Sequence, residues 1–336
     1  MFNFLHTFHP TSIIFSQGFI QIHWYGVLIV LGMILAIGIA VKLGKYYSLE
    51  KDLVFDLSFY LILFGIIGAR IYDVCLEWQY YLQYPLDVFK IWNGGLAIHG
   101  AIIAGVIVVW VFAVKFERTA PATDLSPRLV SLPAGRQASQ ERGARETSFV
   151  QRMACFFRET SIKDCFASLA MTKSAMTKAR ERFWLLTAIV VPGLSLALGI
   201  GRWGNYFNQE IFGLPTDLPW GIPIDLMHRP FGYISAEYFQ PTFLYESLGS
   251  FFIFAVLILM HVYIIKNKKF STTNYQLLTI SYLVMYSILR FSLEFIRIDY
   301  APEALGLRWP QVTSLAIIVF CILLLVLPKI KKRGNL

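Results

Sequence analysis

Ionisable residues inside long apolar runs are costly in a membrane and are functional candidates by default. This chain has few of them. The stretch LRFSLEFIR, at the end of one apolar run, places Arg290, Glu294 and Arg297 at i, i+4 and i+7. On a helix these three share one face. A carboxylate between two guanidiniums is restrained and neutralised, and the surplus positive charge can hold an anion. A second stretch, GIGRWGNYFNQEIFG, ends another run and carries Arg202, Asn205, Asn208, Glu210 and Gly213. Two arginines from different helices, converging at lipid-headgroup depth, suit a phosphate through their forked donors. Asn205 and Asn208 offer both donors and acceptors to a headgroup. So polar a junction is tolerated in a membrane only where it is buried in protein or lines a polar cavity.

His99 stands early in a third run, in NGGLAIHGAIIAG. Its imidazole has the intrinsic pKa of a general base near neutral pH. Gly94, Gly95, Gly100, Ala101, Ala104 and Gly105 around it either let helices approach closely or leave room for a ligand chain. Each candidate also has an inert reading. Arg297 can snorkel to the interface, and Arg202, Arg290 and Arg70 can glue helices together. His99 can be a core histidine bonded to a carbonyl. The cluster His23, Trp24 and Tyr25 suits an interfacial aromatic belt.

The elements that must position these groups are membrane spans. Of 336 residues, 56% are hydrophobic and 15% charged, against about 25% charged in soluble domains. About seven runs reach spanning length: Gln21 to Ile39, Leu53 to Ile71, Leu96 to Val114, Phe183 to Ile200, Pro241 to Ile265, Tyr275 to Ile296 and Val312 to Leu327. The expected fold is an all-α integral membrane protein. The first run does not read as a cleaved signal peptide, since no Lys or Arg precedes it and no small-residue site closes it. Basic residues alternate along the connections: Lys42, Lys45 and Lys51 after the first span, Lys266, Lys268 and Lys269 after the fifth, and Lys329, Lys331, Lys332 and Arg333 after the seventh. The positive-inside rule then puts the N-terminus outside and the C-terminus in the cytoplasm. The net charge of +9 is explained by these loops, and no nucleic-acid partner is expected.

Residues 117–182 break the pattern. They are polar and carry 12 Lys and Arg against 7 Asp and Glu. The chain therefore divides into a membrane part with spans 1–3 (1–116), a basic cytoplasmic insertion read as disordered (117–182), and a membrane part with spans 4–7 (183–336), with an outer loop over about 205–240. The repeated element AMTK, at Ala170 to Lys173 and Ala175 to Lys178, fits an insertion tolerated at a loop tip. Four irregularly spaced cysteines exclude a disulfide scaffold and a CxxC zinc site. No Walker loop, HExxH, GxSxG or DxxxD pair is present, so neither a metal nor another cofactor is expected.

The polar blocks, taken in order, resemble one family. GRWGNYFNQEIFG is similar to the signature G-R-x-G-N-F-x-N-x-E-x-x-G of prolipoprotein diacylglyceryl transferases, with Tyr206 in the place of a usual Phe. HWYG (His23 to Gly26), GARIYDV (Gly68 to Val74), WNGGLAIHGAIIAG, QPTFLYES and RFSLEFIR resemble further blocks of the family, in the family's order. The resemblance covers everything but the insertion. Two positions depart from it: Gln240 stands where the family usually has His, and Ala188 where an acidic residue is common nearby.

The resemblance implies a reaction: the diacylglyceryl group of phosphatidylglycerol passes to the lipobox cysteine of a prolipoprotein signal peptide, a thioether forms, and glycerol phosphate leaves. The protein substrate supplies the nucleophile, so the enzyme needs none of its own. Arg202 and Arg290 would bind the phosphate and stabilise its developing charge. His99 would be the base for the thiol or an orienting hydrogen-bonder. Tyr25, Asn205, Asn208, Glu210, Gly213 and Arg297 would shape the headgroup cavity, and Glu294 would hold Arg290. The implied location is the bacterial inner membrane, with membrane lipid and prolipoprotein signal peptides as partners. A lipid carrier with the same fold is the competing class, but a carrier has no need of a base near the phosphate.

Overall fold

The computed structural model describes residues 2–17, 20–91, 94–119, 173–304 and 306–333. Among these, seven helices are long and apolar enough to cross a membrane. A short α1 (Phe2–Thr7) and a hairpin, β1 (Ile13–Gln17) with β2 (Ile20–His23), precede the first long helix, α2 (Trp24–Tyr46). Then come α3 (Lys51–Leu76), a short α4 (Trp78–Gln83), α5 (Ile98–Thr119) and α6 (Lys173–Phe207). The pair β3 (Ile222–Pro223) and β4 (Tyr238–Phe239) leads to α7 (Thr242–Lys266) and α8 (Thr272–Leu293). The pair β5 (Glu303–Ala304) and β6 (Leu307–Arg308) leads to α9 (Trp309–Arg333). Hydrocarbon offers no partner for backbone N–H and C=O groups, so a spanning segment must bond to itself as a helix.

Helices meet in lipid where small residues let backbones approach. Gly32 and Ala36 of α2 face Ala197 and Gly193 of α6, a reciprocal small-xxx-small contact. A Cβ on Gly193 would lie 2.7 Å from the Ala36 carbonyl oxygen. On α3 and α5 the same device pairs Gly68 with Gly100 and Ala104, and a Cβ on Gly68 would fall 2.5 Å from Ala104 Cβ. Gly100 and Ala104 beside His99 therefore serve helix approach rather than room for a ligand chain. Leu57, Ala113, Ile189, Leu257 and Leu278 are fully enclosed at the bundle centre. Ile34, Ile71, Phe252 and Leu259 are about 60% exposed or more, which suits a lipid-facing surface and no aqueous one.

Seven spans in series alternate in direction. The start of α2, the end of α3, the start of α5, the end of α6, the start of α7, the end of α8 and the start of α9 therefore share one end of the bundle. At that end a second apolar cluster gathers Leu5 of α1, Tyr206, Phe212, Ile222, Ile224, Phe239 and Phe243. His6 of α1 stacks on Tyr238 with ring centroids 4.1 Å apart, which docks the N-terminal segment onto the loop between α6 and α7.

Two helix bounds differ from the sequence reading with consequences. Helix α6 begins at Lys173, so residues 173–182 are helical rather than part of an irregular insertion. Ala, Met, Lys, Arg and Glu are strong helix formers, and extending an existing helix needs no new nucleus. Residues 120–172, the remainder of the expected insertion, lie outside the described residues. Helix α8 ends at Leu293, so Arg297 is not on the helical face that the i, i+7 spacing assigned to it.

Candidate functional site

Arg202, in the last turns of α6, points its Nη2 at Oε1 of Glu246 in α7, 2.7 Å away. Its Nη1 donates to Asn205 Oδ1 at 3.2 Å. Glu246 is buried, and its Oε1 also accepts from the Tyr286 hydroxyl of α8 at 3.1 Å. Three spans thus meet on one carboxylate. Arg290 lies one turn beyond Tyr286 along α8. The sequence reading has Arg202 and Arg290 converge; the structure ties Arg202 through Glu246 to Tyr286, on the helix that carries Arg290. The polar junction is linked as well: Asn205 Nδ2 donates to Glu210 Oε1 at 2.8 Å, and Asn208 Nδ2 reaches the same oxygen at 3.3 Å.

On α8 the carboxylate between two guanidiniums is real, but its second partner is not Arg297. Glu294 is 1% exposed. Its Oε2 pairs with Arg290 Nη1 at 2.6 Å, and its Oε1 with Arg308 Nη1 at 3.2 Å. Because α8 stops before Glu294, the chain turns away and Arg297 meets Asp299 instead, through a two-pronged contact of 2.7 and 3.0 Å. Arg308 Nη1 also donates to the carbonyls of Glu294 and Arg297, at 3.2 and 2.9 Å, and Arg308 Nη2 donates to that of Asp299. Two guanidiniums about Glu294 leave one net positive charge. Burial works to raise the Asp299 carboxyl, but the hydrogen bonds and charge of Arg297, with Arg308 behind it, outweigh burial and hold it below the usual carboxylate range.

Gly213 pairs antiparallel with Arg297, and Pro215 with Phe239. The Leu214 N–H donates to Ile296 O at 2.8 Å and the Gly213 N–H to Gln240 O at 2.9 Å. This small sheet stitches the loop after α6 to the loop after α8. A Cβ on Gly213 would stand 2.8 Å from the Ile296 carbonyl oxygen and 3.0 Å from both Gln240 Cβ and Thr242 Cγ2, so only glycine fits unmoved. Gln240 contributes through its backbone, which its departure from the family's usual His does not alter. Ala188 is enclosed in the bundle centre. Gln209 and Ile211 have φ near +50° and +57°, a left-handed conformation that costs side-chain-bearing residues energy and needs outside support. For Gln209 the support is visible: its side-chain amide donates to Asp225 Oδ2 at 2.6 Å and to Pro10 O at 3.0 Å, and accepts from the Asp225 N–H at 2.7 Å.

Tyr25, in the first turn of α2, lies against the same junction. A Cβ on Gly204 would fall 2.5 Å from Tyr25 Cδ2, so the glycine preceding Asn205 is the seat of that ring. Trp24 stacks on Phe207, centroids 4.6 Å apart. His99 is exposed at the start of α5, 5.7 Å from the Tyr72 ring. Among the described residues no hydrogen bond or ion pair joins it to the Arg202 group. Arg70 is engaged throughout, as its reading as helix glue anticipated. It donates to the carbonyls of Asp87, Val88, Gly94 and Gly95, pairs with Asp73 at 3.5 Å, and lies over the Tyr81 ring. It fastens the segment that delivers α5, and so His99.

Sequence reading gave no role to Glu246, Tyr286, Arg308 or Asp299. A signal for Arg308 was available: it stands just before the last span, in a connection that the alternation of basic residues assigns to the outside, and so runs against the expected positive-inside bias. Glu246 lies inside the QPTFLYES block, an acidic residue within an apolar run.

The family described as prolipoprotein diacylglyceryl transferase matches residues 12–136 and 165–327. Curated relatives named phosphatidylglycerol–prolipoprotein diacylglyceryl transferase are similar over most of their length. That of Synechococcus sp. (strain CC9902) is 33% identical over 290 residues, covering 86% of this chain and 80% of its own. That of Synechocystis sp. (strain ATCC 27184 / PCC 6803 / Kazusa) is 32% identical over 311, covering 92% and 86%. That of Nostoc sp. (strain PCC 7120 / SAG 25.82 / UTEX 2576) is 34% identical over 310, covering 91% and 85%.

Proposed function

The chain belongs to the prolipoprotein diacylglyceryl transferase family, and from that premise we propose that it transfers the diacylglyceryl group of phosphatidylglycerol to the lipobox cysteine of a prolipoprotein, the first step of bacterial lipoprotein maturation. The observation that carries the reading is the chain Arg202–Glu246–Tyr286, which ties Arg202 to the helix that carries Arg290 one turn beyond Tyr286. A fixed pair of forked donors in a membrane-embedded site fits a phosphate whose charge grows as its ester bond breaks.

The cysteine sulfur attacks the glyceryl carbon that carries the phosphate. The new C–S bond replaces the C–O bond, and the electron pair leaves on the phosphate oxygen as glycerol phosphate. Arg202 and Arg290 hold that phosphate. Glu294, itself braced by Arg308, fixes Arg290, and Glu246 does the same for Arg202. His99 takes the thiol proton, which afterwards leaves to solvent or product. Asn205, Asn208, Glu210 and Tyr25 line the headgroup cavity, with Gly213 and Arg297 in its wall. The multi-pass chain lies in the bacterial cytoplasmic (inner) membrane, N-terminus and site on the outer side, C-terminus and the 117–182 segment in the cytoplasm.

The test is transfer of label from phosphatidylglycerol to a lipobox peptide by membranes containing the chain, with a Cys-to-Ser peptide as blank. Lipid on the Cys peptide alone supports the reading. Label on neither, with the protein inserted, refutes it and favours a lipid carrier.

A further inference from the structure

Helix α6, which carries Arg202, has a proline inside it, the fully buried Pro192. A proline has no N–H for the carbonyl four residues earlier, and its ring crowds that same carbonyl. Here the carbonyl is that of Ala188, enclosed at the bundle centre, where a carbonyl left without a donor is costly. The donor comes from another span. His261 of α7, itself fully buried, sets its Nε2 3.0 Å from Ala188 O. A carbonyl can only accept, so the proton of this ring is on Nε2. Nδ1 then accepts from the Tyr47 hydroxyl, 2.6 Å away at the end of α2.

The histidine is fixed from behind as well. Tyr47 meets Phe270 and Tyr275 edge-on, with ring centroids 5.7 and 5.5 Å away. The bond that Pro192 deletes is one that would help set the angle between the two halves of α6. Arg202 lies ten residues beyond Pro192, about 15 Å along a helix that rises 1.5 Å per residue. A change of roughly 10° at Pro192 would move Arg202 by about 2.6 Å. Misplacing a substrate-positioning group by about 1 Å can cost on the order of 100-fold in rate.

We propose that His261, oriented by Tyr47, stands in for the hydrogen bond that Pro192 deletes and thereby sets the place of Arg202. It is a positioning residue: it touches no substrate and acts through α6. The role in transfer rests on the transferase reading of Arg202; the bond itself rests on the geometry of the bundle. A histidine kept only for packing would cost the same to replace whether or not the proline were present.

The test compares His261→Leu, His261→Gln, Pro192→Ala and the double variant Pro192→Ala with His261→Leu, all in the full chain. Each is measured by thermal unfolding and by kcat and KM for transfer from labelled phosphatidylglycerol to a lipobox peptide. Leucine offers no donor, glutamine keeps an N–H near the place of Nε2, and Pro192→Ala returns a backbone N–H to Ala188 O. His261→Leu should lower the unfolding temperature and cut kcat per folded molecule about tenfold or more, with KM for the peptide within about threefold. His261→Gln should recover most of both. With Pro192→Ala present, His261→Leu should cost far less in unfolding temperature than it does alone. An equal cost with and without the proline overturns the proposal. So does a glutamine variant no better than leucine, or a His261→Leu chain that keeps the parent's kcat. If His261→Leu does not fold, recovery of folding by Pro192→Ala supports the bond and no recovery overturns it. A parent chain that transfers nothing refutes the transferase reading and the positioning role with it, while the unfolding cycle still decides the bond.

Discussion

Replacing Arg202 with lysine keeps the charge and removes the fork. In the structure the guanidinium meets Glu246 through Nη2 at 2.7 Å and Asn205 through Nη1 at 3.2 Å, and its plane leaves further N–H donors for a ligand. A lysine has one nitrogen, which the buried Glu246 will claim. The phosphate then loses at least one donor placed where charge develops, worth about 3 kcal/mol in the transition state. That corresponds to roughly a 150-fold fall in kcat/KM. Folding should survive, because Arg202→Lys leaves Glu246 paired rather than stranded. The assay is initial-rate transfer from labelled phosphatidylglycerol to a lipobox peptide, normalised to inserted protein and run beside a thermal unfolding curve in detergent. Activity within about threefold of the parent, at equal abundance and equal unfolding temperature, would refute the phosphate-clamp role.

Other perturbations separate structural from chemical roles. Arg70→Gln should lower unfolding stability by roughly 3 kcal/mol or more, since it leaves several buried carbonyls without their donor and takes the positive charge from beside Asp73; transfer per folded molecule should change far less, as thermal unfolding and rate measured together will tell. Gly213→Ala forces a methyl against the Ile296 carbonyl and should cost about 1–3 kcal/mol, read by the same unfolding curve, with a raised KM for lipid. His99→Ala and His99→Asn distinguish proton transfer from orientation: a base predicts loss of about 10²–10⁴ in both, whereas retained rate in the asparagine variant would reduce His99 to a hydrogen-bonder. The Asp299 carboxyl titrates below its unfolded value of about 3.9, so the Arg297–Asp299 contact stabilises fully above that value and is lost as pH falls through the lower folded one. Stability should show no dependence on this group from about pH 5 to 8, and Asp299→Asn should flatten part of the acid-side decline.

The spans were legible because hydrocarbon imposes a rule on short stretches of sequence: about 20 apolar residues, bonded to themselves. All seven expected runs have a helix over them, and the blocks at their ends carry the family resemblance. Gly213 and the Asn205–Glu210 bond belong to this class, being short-range or dictated by a close backbone approach. Pairings across the bundle were not legible. Glu246 is 44 residues from Arg202, and Arg308 lies in β6, across the connection that follows α8 from Glu294; nothing in either local pattern names the partner. The spacing of Arg290, Glu294 and Arg297 suggested one triad, and the end of α8 at Leu293 substituted another, because helix termination is decided by what the following loop can bond to. Nothing in the sequence around Arg70 names the carbonyls of Asp87, Val88, Gly94 and Gly95 that it binds. Sequence alone determined which residues are expensive to place in a membrane. Only the tertiary structure decided which of those charges neutralise one another and which remain to meet a ligand, because that depends on distances between helices that the chain itself does not encode locally.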